Sequence, residues 1–141
     1  MDELARHALP PEADSQASAR RLLADCTAGM VAAGALDARG LGDLQLMASE
    51  LIANAIVHGH PTAPIDLVVH ADAGRVRVAV HDRGPGFDPA AVDTSMPHAL
   101  QPGGRGLPLV DALASGWGAE RAGAMVVWCE VALSVPARAP A

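Results

Sequence analysis

The chain has 141 residues, half of them hydrophobic, 18% charged and 2% aromatic, a composition that fits one packed domain and excludes intrinsic disorder. A net charge of −6 and the shortage of aromatic rings argue weakly against nucleic acid and anionic membrane as main partners. All ten basic residues are Arg, and without Lys there is no P-loop phosphate site, no eukaryotic-type protein-kinase strand Lys and no Schiff-base chemistry.

The start, through Leu9, carries Asp2, Glu3 and Arg6 and does not have the apolar stretch of a signal peptide; it reads as a short lead-in. Pro10 and Pro11 then open a helix, with Glu12 and Asp14 at the positive end of its dipole. Leu22, Leu23, Cys26 and Met30 recur at helical spacing, and Gly34 is a stop. A second helix is expected from about Leu41 to His58, with Leu44, Met47, Ala48, Leu51 and Ala55 as its apolar face and Gly59 and Pro61 as its end. The pattern then changes to period two. Ile65, Leu67 and Val69 form one strand, Val76, Val78 and Val80 the next, and Asp72-Ala73-Gly74 is the turn of an antiparallel hairpin. Asp82 lies just past the second strand.

From Arg83 to Arg105 the periodicity stops and Gly and Pro accumulate, as in a functional loop. A third helix is predicted from about Gly106 to Ala114. Two final strands, near Trp117–Glu120 and Met125–Val135, flank a turn at Ala122-Gly123, and a frayed tail ends the chain. Cys26 and Cys129 form neither a zinc spacing nor a CxxC pair and read as small core residues. No run approaches ~18 apolar residues, so a reduced, soluble, cytoplasmic protein is expected. The order of elements predicts an α+β two-layer sandwich: a mixed, mostly antiparallel sheet with helices on one face, in a single domain over residues 1–141.

Three motifs carry chemistry. In Glu50-Leu51-Ile52-Ala53-Asn54-Ala55-Ile56-Val57-His58-Gly59, the i, i+4, i+8 spacing lines up Glu50, Asn54 and His58 on one helical stripe, while Leu51 and Ala55 face the core. An Asn inside a helix is mildly unfavourable and calls for a reason. In His81-Asp82-Arg83-Gly84-Pro85-Gly86-Phe87, Asp82 can floor a pocket while Gly84 and Gly86 let a flat ligand approach the backbone. In Gly103-Gly104-Arg105-Gly106-Leu107, glycine amides lead into a helix N-terminus and make an anion site. Taken singly, these motifs also read as a solvated helix face, an ordinary turn and a hinge. His58-Gly59-His60 reads as helix end and turn rather than a metal pair.

In this order and on these elements, the three together resemble the N box, G1 box and G2 box of the Bergerat-fold (GHKL) ATPases, the superfamily of gyrase, Hsp90, histidine kinases and MutL. Within it the chain looks most like the stand-alone anti-sigma factor serine/threonine kinases of the RsbW and SpoIIAB type, on Ala19-Arg20-Arg21, Gly104-Arg105-Gly106-Leu107, Trp117-Gly118 and Val127-Trp128. No dimerisation helices with a phosphorylatable His precede the domain, so a full histidine kinase is not expected.

The resemblance implies ATP and Mg²⁺ as cofactors. Asn54 would hold Mg²⁺ through its side-chain oxygen and Glu50 would act as the catalytic base. Asp82 would accept a hydrogen bond from the adenine amino group, with Gly84 and Gly86 beside the base. Gly104, Arg105, Gly106 and Leu107 would close over the phosphates, with residues 88 to 103 as a lid; because the chain has no Lys, the phosphate charge would be met by Mg²⁺, the helix dipole, Arg105 and either Arg20 or Arg21. It implies a sigma factor or a STAS-type antagonist protein as partner, and a homodimer. One departure stands out. Related domains often carry a Thr on the late strand, where this chain reads Met125-Val126-Val127. Three activities fit: transfer of the γ-phosphate to a protein hydroxyl, ATP-dependent protein binding without transfer, and ATP hydrolysis.

Overall fold

The structure, a computed structural model, describes residues 1–86 and 107–134. The chain runs β1 (Asp2–Leu9), α1 (Asp14–Cys26), α2 (Ala28–Ala32), α3 (Ala38–His58), β2 (Ile65–Ala71), β3 (Arg75–Asp82), α4 (Leu107–Leu113), β4 (Gly116–Ala122) and β5 (Ala124–Ala132). The strands form one sheet in the order β1-β2-β3-β5-β4, and every pairing is antiparallel.

Strand side chains alternate between faces, so the period-two pattern divides the sheet. Ile65, Leu67 and Val69 of β2, Val76, Val78 and Val80 of β3, and Met125, Val127, Cys129 and Val131 of β5 enter one core with the helices. α3 is the spine of that layer. Leu44, Met47, Ala48, Leu51, Ile52 and Ala55 are all buried, as their spacing predicts. Each large side chain among them contributes about 1.5–3 kcal/mol by leaving water. Asp37 caps the helix, its carboxylate accepting from the Gly40 amide at 2.7 Å.

No helix covers the opposite face among the described residues. There, Val68, Ala79 and Val126 form a small apolar centre packed by Trp128. Arg77 stacks on the Trp128 ring, 4.0 Å from its centroid. Glu130, 5% exposed, accepts from Arg77 Nε at 2.8 Å and Arg75 Nη1 at 3.4 Å. Gly118 pairs with Trp128, and a Cβ there would meet the indole at 2.7 Å, so the glycine makes room for the ring.

Three elements differ from expectation. The lead-in is an edge strand, β1, paired with β2 and interrupted by a register shift between Glu3 and Ala5. The first helix breaks at Thr27, whose hydroxyl donates to the Leu23 carbonyl at 2.6 Å; the short α2 follows, and Gly34 (φ 77°) ends the segment as predicted. α3 begins at Ala38, three residues before the expected start. Among the described residues no helix is long and apolar enough to cross a membrane.

Candidate functional site

The site forms where the last turns of α3 meet the end of β3. Helical spacing places Glu50, Asn54 and His58 on one stripe of α3. Asn54 is 9% exposed, an amide buried among core residues, while Glu50 and His58 are half-buried. On β3, Val76, Val78 and Val80 point to the helix layer, so strand alternation gives Asp82 the same face. Asp82 pairs in register with Met125 of β5, which is fully buried on that face.

Two glycines bring these pieces together. A Cβ on Gly84 would lie 2.5 Å from Cα of Gly59 and 2.9 Å from the His60 amide nitrogen. A Cβ on Gly59 would lie 3.4 Å from Cβ of Asp82 and would run into the Ala55 carbonyl. The turn after β3 therefore rests directly on the end of α3, an approach that requires glycine at position 84, while Gly59 is kept a glycine by the Ala55 carbonyl of its own helix. The Asp82 carboxylate accepts from the Gly84 amide at 2.9 Å, which fixes the turn. Gly86 has φ 70°, and a Cβ there would crowd Met125 Sδ at 2.9 Å. Arg121 donates to the Pro85 carbonyl and holds the far side of the same turn.

On the other flank, α1 is stitched to α3 beside Glu50. Arg20 Nη1 donates to Ser49 Oγ at 2.9 Å, Gln16 Nε2 to the Ser49 carbonyl at 3.0 Å, and Gln45 Nε2 to the Arg20 carbonyl at 3.0 Å. The sequence reading missed Ser49 and Gln16. Their only signal in the sequence is a hydroxyl residue next to the stripe and a polar residue one turn before Arg20. Arg21 donates to Ser18 on its own helix at 3.3 Å. His60 Nδ1 accepts from the amides of Thr62 at 3.1 Å and Ala63 at 2.9 Å, so this ring closes the turn after α3. Of the glycine-rich third motif, Leu107 opens α4 and is fully buried; Gly104, Arg105, Gly106 and the 88–103 lid lie outside the described residues.

The sequence pattern of the histidine kinase-like ATPase domain matches residues 9–128, nearly the whole of this arrangement. The chain belongs to that family of ATP-binding domains. No curated protein matches it in sequence. Among solved structures, it is similar to the crystal structure of the RsbU and RsbW domains of Rv1364c from Mycobacterium tuberculosis, with a TM-score of 0.69 and 22% identity. That match covers 98% of this chain and 34% of the other, so the fold corresponds to about a third of that protein. The α+β architecture, one open antiparallel sheet with helices on one face, is that of this GHKL-type family.

The residues present suit an adenine nucleotide. Gly84 and Gly86 clear the backbone beside Asp82, and a side chain at either position would collide with its surroundings. His58 Nε2 is buried without a hydrogen-bond partner. On the late strand, Met125 and Val127 turn into the core; the strand brings an apolar floor rather than a hydroxyl beside Asp82.

Proposed function

We propose that the chain is a regulatory serine/threonine protein kinase of the anti-sigma type, moving the γ-phosphate of ATP to a Ser or Thr hydroxyl of a small STAS-type antagonist protein, with a sigma factor as the regulated partner. The supporting observation is the Glu50–Asn54–His58 stripe of α3 held against the Asp82 turn by the contact between Gly59 and Gly84. Asp82 takes the adenine amino group and selects adenine over guanine, whose corresponding position is a carbonyl. Asn54 offers its side-chain oxygen to Mg²⁺. When bound, Mg²⁺ neutralises charge on the phosphates and orients them.

Glu50, one helical turn from Asn54, receives the proton of the attacking hydroxyl. The hydroxyl oxygen bonds to the γ-phosphorus, the bond to the bridging oxygen breaks, and ADP leaves. Arg20 and Gln16 hold Ser49, and with it the backbone that carries Glu50.

The test is radiolabelled ATP with Mg²⁺ and candidate STAS-type proteins, for the wild type and two variants. Glu50→Ala should keep nucleotide affinity and lose transfer by roughly 10²–10⁴-fold. Asn54→Ala should lose both Mg·ATP affinity and transfer. Full transfer by Glu50→Ala would remove the base assignment. Phosphate release without a protein substrate would mark a hydrolase. ATP binding with neither transfer nor release would leave a nucleotide-gripped binding module.

A further inference from the structure

Arg121 lies outside all three motifs, yet the fold sets it against one of them. In register, Asp82 of β3 pairs with Met125 of β5, and Met125 pairs with Arg121 of β4. The three form one lateral row across the sheet, on the helix-covered face where Met125 enters the core. Two strand spacings separate the ends of that row, so the Arg121 backbone stands about 10 Å from that of Asp82, with Met125 between them. Gly123, with φ 77°, closes the β4–β5 hairpin and so returns the chain to this register.

The turn after β3 spans the row. It starts at Asp82, whose carboxylate accepts from the Gly84 amide at 2.9 Å. It reaches Gly86, where a Cβ would crowd both Met125 Sδ, at 2.9 Å, and the Arg121 guanidinium. Arg121 Nη2 donates to the Pro85 carbonyl. The turn is thus fastened at its start by Asp82 itself and at its far end by a charged donor from a different hairpin, the stronger kind of hydrogen bond. We infer that Arg121 is a positioning residue that sets base specificity: by pinning Pro85 across Met125, it holds the Asp82 carboxylate where an adenine amino group is read. The inference rests on the reading that Asp82 receives adenine.

The consequence is a loss of discrimination rather than of nucleotide binding in general. Inosine diphosphate carries a carbonyl where ADP carries the amino group, so an ordered Asp82 gives it no hydrogen bond. Arg121→Met keeps a long side chain and removes the donors. It should weaken ADP about three- to tenfold and leave inosine diphosphate unchanged. Arg121→Lys keeps a donor and should recover most of the loss. In an Asp82→Asn background, Arg121→Met should cost nothing further, because the group it positions is already gone.

The experiment is calorimetry of ADP with the wild type, both Arg121 variants, Asp82→Asn and the double variant, with inosine diphosphate measured by displacement. In parallel, NMR follows hydrogen exchange of the Gly84 amide without nucleotide; it should quicken in Arg121→Met while the core amides of β5 stay protected. Unchanged ADP affinity in Arg121→Met, an equal loss for both nucleotides, a full further loss in the double variant, or unchanged Gly84 exchange would each overturn the inference and leave the ATP reading standing. A wild type that binds no ADP would overturn both.

Discussion

The two faces of the sheet are built from the same strands by different physics. On the helix-covered face, Val, Leu, Ile and Met side chains interlock with α1, α3 and α4, and burial carries the stability. On the uncovered face, a small apolar centre of Val68, Ala79 and Val126 is roofed by Trp128 and Arg77 and tied down by Glu130. The alternation that divides the faces also places Asp82. Asp82 follows Val76, Val78 and Val80 onto the covered side, which is why it reaches the end of α3. His81, one residue earlier, goes to the other face and joins His70, Glu120 and Trp128 around a cavity of about 240 Å³. A single residue step separates a site position from an unrelated surface.

The sharpest way to test the division is to damage each face in turn. Leu51→Ala on α3 removes a buried side chain between Glu50 and Asn54 and should destabilise the fold by about 2–5 kcal/mol in denaturant unfolding. A loss below about 1 kcal/mol would mean the covered core is not close-packed. On the other face, Arg77→Ala removes the closest partner of the buried Glu130 carboxylate and the cation over Trp128, leaving Arg75 at 3.4 Å. We expect a cost of about 1–3 kcal/mol, smaller because Arg75 remains, with nucleotide affinity unchanged. A fall in nucleotide affinity would show that the two faces are coupled.

The smallest effect concerns pH. Burial, with repulsion from Arg6, holds the His81 imidazole below its usual value of 6.5; Asp66 and Glu120 pull the other way and His70 adds to the depression. The native state therefore resists protonating a group that the unfolded chain protonates readily. Stability is full above about pH 6.5 and falls as the pH drops below it. Unfolding midpoints measured across that range should flatten in His81→Gln. An unchanged slope would assign the acid sensitivity to other groups.

Much of this was legible in the sequence, and the exceptions have physical causes. The α3 stripe and the hairpin of β2 and β3 announce themselves because burial on one side imposes strict periods of 3.6 and 2. β1 escaped because an edge strand with only Leu9 buried carries almost no alternation, and Asp, Glu, Arg and His fill its exposed positions. The true start of α3 was hidden by Gly40 and Gly42, poor helix formers that follow a genuine cap at Asp37. The stripe of Glu50, Asn54 and His58 follows from helical spacing, but that the Asp82 turn lies at the end of α3 depends on the contact between Gly59 and Gly84, which is a property of backbone packing rather than of residue type. The pairing of Ser49 with Arg20 is likewise a tertiary fact, joining residues 29 apart.

The central claim is that Asp82 is the adenine-reading group of an ATP site, and calorimetry of ATP with the wild type and Asp82→Asn tests it most directly. The Asn keeps an oxygen for the Gly84 amide, so the turn is preserved, while the other carboxylate oxygen becomes a donor amide facing a donor amino group. The account predicts that the wild type binds ATP and that the variant loses about 10- to 100-fold in affinity. Equal affinity in the two proteins would contradict it.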